Sequence, residues 1–135
     1  MSWLGGGCRG NAPLSPARDL NAPARMVLTE RWRSGGRLII VDETGDRLAP
    51  LLVPGSETAG APAVDEHPAF SPDGRWIVFA STRDRGDRRR SLWIADARPD
   101  GAPRRITSGS ASDLDPTWTS SGDAIVFASD RADSI

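Results

Sequence analysis

The 135-residue sequence has no lysine, no tyrosine, one cysteine and one histidine, and its aromatic side chains are limited to five tryptophans and three phenylalanines. The lone Cys8 excludes an intrachain disulfide and a cysteine-built metal site, so no redox compartment can be read from a bridge framework. The longest apolar runs, Leu38 to Val41 and Leu51 to Val53, fall far short of the roughly 20 residues that a membrane-crossing helix needs. An excess of either charge is also missing, with 17 arginines against 18 acidic residues. A formal net charge of −1 lacks the basic excess with which nucleic-acid binders neutralise phosphates, and no nucleic-acid partner is expected. With one histidine, a Ser-His-Asp triad would have to use His67, and no Gly-x-Ser-x-Gly elbow presents a nucleophile. The chain is therefore read as not an enzyme, with no cofactor and no metal site.

What is present points to turns and strands. Fourteen glycines and 11 prolines in a composition that is 38% hydrophobic and 26% charged describe a globular, turn-rich, all-β chain, because both residues break regular helices. An internal repeat then organises most of it. Asp65-Glu-His-Pro-Ala-Phe-Ser-Pro-Asp-Gly-Arg-Trp-Ile-Val-Phe-Ala-Ser81 returns as Asp113-Leu-Asp-Pro-Thr-Trp-Thr-Ser-Ser-Gly-Asp-Ala-Ile-Val-Phe-Ala-Ser129. The offset is constant at 48 residues, from Asp65 to Asp113, Pro68 to Pro116, Gly74 to Gly122 and Ser81 to Ser129. Ser91 to Asp96 and Pro103 to Thr107 read as two further short strands around a Pro99–Gly101 turn, which puts four strands in one period. A degenerate earlier copy places Arg25 to Thr29 where Trp76 to Ala80 stands, Arg37 to Asp42 where Leu92 to Asp96 stands, and Leu48 to Val53 where Ile106 stands.

Within the repeat, Ser71-Pro-Asp-Gly74 is a tight-turn sequence, since proline presets φ, aspartate bonds the backbone ahead and glycine accepts positive φ. Ser120-Ser121 replaces Pro-Asp in the second copy and is expected to weaken that turn. Trp76, Val78 and Ala80 alternate with Ile77, Phe79 and Ser81, the pattern of a strand covered on both faces. Trp76, Trp93 and Trp118 are expected to pack between sheets, and Trp32 sits in a polar turn.

Asp-x-x-Pro-x-aromatic-Ser-Pro-Asp-Gly, a strand ending Phe-Ala-Ser, an Arg-containing loop, Leu-Trp-Ile-Ala-Asp and Arg-Ile-Thr together resemble the repeat of the TolB-type β-propeller family. The resemblance covers roughly residues 25 to 135 and is strongest over Asp65 to Gly109. It implies a partial propeller of about two and a half four-stranded antiparallel blades, with a degenerate blade at 25–64, a complete one at 65–112, a partial one at 113–135 and a linker-like tail at 1–24. By the same resemblance the polypeptide is expected to be part of a six- or seven-bladed propeller, unless copies assemble to complete a ring. The function implied is that of a non-catalytic scaffold for protein partners in the periplasm or at the outer membrane. The alternative is the propeller part of a larger enzyme of the prolyl-oligopeptidase type.

The candidate partner-binding residues follow from that reading. Asp65, His67, Asp113 and Asp115 would stand at the start of the innermost strands, where related propellers open their central channel. Asp65, Glu66, Asp113 and Asp115 could converge on a hard cation, although their spacing follows no calcium-loop signature and turn capping is the more economical role. Arg83, Arg85, Arg88, Arg89 and Arg90 form a basic hairpin loop, read either as a solvated loop or as a finger for an acidic protein or lipid headgroup. Cys8, after a small-residue tripeptide, loosely resembles a lipoprotein attachment site; a disordered tail carrying an incidental thiol explains the same Gly/Pro/Ala composition.

Overall fold

A computed structural model describes residues 25–33, 35–42, 44, 47–50, 57–58, 61–83, 87–98 and 101–131. Cys8 with the tail 1–24, Arg85, Leu51 to Val53 and the Pro99-Asp100 part of the expected turn lie outside the described residues. The described elements are all strands. β1 (Arg25–Trp32), β2 (Gly35–Asp42) and β3 (Arg47–Pro50) form a three-stranded antiparallel sheet, and β4 (Glu57–Thr58) pairs with β5 (Ala61–Pro62). β6 (Asp65–Phe70), β7 (Trp76–Ser81), β8 (Ser91–Asp96) and β9 (Arg104–Arg105) form a four-stranded blade in sequential order, and β10 (Asp113–Trp118) pairs with β11 (Ile125–Ser129). The architecture is a partial β-propeller.

β9 is shorter than the sequence pattern predicts, because Pro103 cannot donate to a ladder. Leu92 compensates on both sides: its carbonyl accepts from Ile106 N at 2.8 Å and its N–H donates to Thr107 Oγ1 at 2.9 Å.

The turn between β6 and β7 closes as its sequence requires, with Gly74 N donating to Ser71 O at 2.8 Å and Gly74 at φ 69°. The turn between β10 and β11 has the same geometry, with Gly122 N donating to Thr119 O at 2.9 Å and Gly122 at φ 75°. The expected weakening does not occur because the carboxylate has moved along the turn. Asp73 accepts from Ser71 Oγ at 2.6 Å and from Arg75 N at 3.0 Å, whereas Asp123 accepts from Ser121 Oγ at 2.6 Å and Thr119 Oγ1 at 2.7 Å. These hydroxyls, Ser71 in one turn and Ser121 in the other, hold both carboxyls below the ordinary carboxylate value.

The core forms where the first sheet meets the central blade. Leu38 and Ile40 of β2 lie with Ile77 and Phe79 of β7 and with Ala95 and Ala97, and Val27, Phe70 and Trp93 close the margin. On the opposite face of the blade Val78, Ala80, Leu92 and Ile94 are also buried, against β10. Trp118 ties the two sheets there by donating its indole N–H to Ala69 O at 3.2 Å. Trp32 ends β1 and is exposed.

Phe79→Ala is expected to lower stability by about 3–5 kcal/mol, the usual cost of emptying a fully buried aromatic site, read as a lower urea midpoint.

Candidate functional site

Asp65 opens β6 and Ser81 closes β7 directly opposite it in the ladder. Ser81 Oγ donates to Asp65 Oδ1 at 2.5 Å and accepts from both the backbone N and Nε of Arg83 at 3.1 Å. Arg83 Nη2 then donates to Asp65 Oδ2 at 2.5 Å, which closes a three-residue tie. The guanidinium lies 5.2 Å from the centroid of Phe79 and 5.3 Å from that of Trp93, and only 2% of the side chain is exposed. The second repeat builds the same tie 48 residues on: Ser129 Oγ donates to Asp113 Oδ1 at 2.7 Å and Arg131 Nη2 to Asp113 Oδ2 at 2.9 Å. Burial pushes the Asp113 carboxyl up, but the hydroxyls of Ser129 and Thr107 and the Arg131 charge outweigh it and hold the group below the ordinary value.

This corrects the expectation that Asp65, Asp113 and Arg83 face a partner. All three are buried, because a carboxylate and a guanidinium that satisfy each other can enter the interior as a pair. Sequence reading missed Ser81 with Arg83 and Ser129 with Arg131 as members of the tie, although both pairs recur at the repeat offset.

His67 and Asp115 behave differently. Each sits in a bulge of an innermost strand, where the register shifts between Glu66 and Ala69 and between Leu114 and Thr117. Each has left-handed backbone, at φ 52° and 50°. Such a conformation costs on the order of 1–3 kcal/mol in a non-glycine residue, and a following proline, here Pro68 or Pro116, disfavours helical conformations further. The fold sets it twice at the same repeat position. His67 Nδ1 stands 3.0 Å from Asp115 Oδ1, so the pair bridges neighbouring blades, and both side chains remain exposed.

The four carboxylates do not converge on a cation. Asp65 and Asp113 are held within their own blades, and Glu66 is buried between Arg31, at 3.6 Å, and Arg90. The basic run is likewise divided. Arg83 is interior, Arg90 is half-buried on Glu66, and Arg89 donates to Ser110 O. Arg88, at φ 61°, and Arg89 are the arginines of the run that stand exposed among the described residues.

No family model matches the chain. A stretch of 70 residues, 51% of the chain, is 40% identical to an uncharacterized protein of Agrobacterium fabrum, Atu1656, and spans 22% of that protein. The solved structure of a protein from Agrobacterium tumefaciens assigned as TolB superposes with a TM-score of 0.63 at 25% identity, over 81% of this chain and 35% of that one.

Asp65→Ala leaves Arg83 charged and buried without its partner and is expected to cost about 3–5 kcal/mol; Asp113→Ala should cost less, since Arg131 is half-exposed and can turn to water. The folded Asp113 carboxyl lies below its unfolded value, so its stabilisation is complete above about pH 4 and is lost as pH falls through the folded value. Urea midpoints are therefore expected to fall with acidification below about pH 4, and to fall less steeply in Asp113→Asn.

Proposed function

Because the chain is built of TolB-like propeller blades, we propose that it is a non-catalytic scaffold of the bacterial cell envelope that binds a protein partner at the inner edge of its sheets. The observation that carries this reading is the His67–Asp115 pair: two strained, exposed positions occupying the same repeat slot and meeting across a blade boundary. The backbone of that slot is constant while its side chain changes from imidazole to carboxylate. Such a slot gives a rigid frame with variable recognition chemistry, which suits specific binding. Arg88 and Arg89 supply exposed positive charge on a separate loop and favour an acidic surface on the partner. The envelope location is inferred from the likeness to TolB.

A photo-crosslinking residue placed at position 67 or 115 in living cells is expected to capture one discrete envelope protein, whereas placement at Ser121 captures little of it. With that partner purified, His67→Ala and Asp115→Ala should each weaken binding about tenfold, equivalent to about 1.4 kcal/mol, while leaving the unfolding midpoint nearly unchanged. Equal capture at Ser121, or unaltered affinity in both variants, would remove the inner edge from consideration.

A further inference from the structure

Where an imidazole meets a carboxylate, the place of one proton decides what the ring offers to everything else, and the contact between His67 and Asp115 fixes that proton. A carboxylate has only lone pairs to present. His67 Nδ1 stands 3.0 Å from Asp115 Oδ1, so a bare Nδ1 would set lone pair against lone pair, whereas a proton on Nδ1 makes the contact attractive. The neutral ring therefore carries its proton on Nδ1 and its free lone pair on Nε2, which is directed away from Asp115. His67 belongs to the complete central blade, with β1 and β2 on one side and β10 on the other, and its side chain is still 41% exposed. Among the described residues it makes no second polar contact.

The charges around the pair are already matched. β6 packs against β7, β10, β1 and β2, and β7 carries no charged residue. On β6 itself Asp65 is tied to Arg83, and Glu66 to Arg31 and Arg90. On β10 Asp113 is tied to Arg131. On β1 and β2 Glu30 is bonded to Arg37, and Arg25 stands opposite Asp42 in the ladder. Histidine is the side chain that changes charge between about pH 5 and about pH 8, and His67 is the one histidine of the chain. Resting on the reading that a protein partner binds at the inner edge, we propose that this partner donates a hydrogen bond to His67 Nε2 and that acid releases it. Protonation turns Nε2 from an acceptor into a donor, so two donors then face each other and the contact is lost, while Asp115 holds the ring in both states.

With a single histidine, the untagged full chain gives an unambiguous reading of the ring. Long-range proton–nitrogen correlation NMR at about pH 8, where a histidine is ordinarily neutral, is expected to show the Nδ1–H form in the wild-type chain. In Asp115→Ala it should shift toward the Nε2–H form that a free side chain favours. For the partner captured by crosslinking at position 67 and then purified, affinity is expected to fall about tenfold between about pH 8 and about pH 5.5. His67→Gln sets an amide oxygen near the place of Nε2 and does not titrate. It should bind within about threefold of the wild-type chain at the higher pH and lose no affinity at the lower. Capture of no partner would remove inner-edge binding and this proposal with it. A captured partner whose affinity stays level or rises on acidification, a His67→Gln chain that binds no better than His67→Ala or weakens in acid as the wild-type chain does, or an Nε2–H ring in the free wild-type protein would overturn the proposal alone and leave inner-edge binding standing.

Discussion

Burial of the Arg83 guanidinium is the constraint on which the rest of this structure depends. A charged group with almost no exposure is tolerable only if its counter-charge and hydrogen-bond acceptors are fixed in place, and Asp65 and Ser81 supply them from the two ends of one strand pair. Fixing Asp65 against Ser81 sets the register of β6 on β7. The flat guanidinium then fills the space over Phe79 and Trp93, so the same side chain that anchors the strand ends also completes the blade's apolar layer. An ammonium could meet the charge requirement but could not stack in this way or reach the serine and the carboxylate through a planar fork. Two donors nearby, Arg83 Nη1 and Trp93 Nε1, are buried and find no hydrogen-bond partner among the described residues, so the arrangement is not free of cost.

The fold was largely legible because the repeat declares itself. A 48-residue offset that holds at Asp65 and Asp113, Gly74 and Gly122, and Ser81 and Ser129 is independent of any single propensity, and the alternation in Trp76 to Ser81 gave a strand buried on both faces. The site was less legible, and for a physical reason. Sequence marks Asp65, His67, Asp113 and Asp115 alike as polar residues near a proline. Whether a carboxylate goes inward or outward depends on a partner 16 to 18 residues away, Ser81 and Arg83 for Asp65, and no local pattern reports that pairing. The same holds for the basic run, in which adjacent arginines part: Arg90 turns to Glu66 and Arg88 stays in water. The second turn shows the converse, where a changed sequence kept its geometry because Asp123 assumed the acceptor role that Asp73 has in the first.

The bulge connects the rigid part of the repeat to the variable part. Pro68 and Pro116 cannot donate to a ladder, so pairing lapses there, and the residue before each is carried into left-handed backbone and out of the sheet. That strain persists because the strand is held on either side of it, by the Asp65 tie behind and by the turn at Ser71 ahead. The result is a division between neighbouring residues. Asp65 is kept because the interior has no substitute for it. Two residues later the slot holds histidine in one blade and aspartate in the next, on a backbone fixed by its surroundings, and the two side chains meet each other across the blade boundary while staying exposed. Within this chain the exchange of histidine for aspartate at that slot leaves the bulge, the left-handed backbone and the tie behind it the same in both blades, so the fold constrains the backbone there more tightly than the side chain.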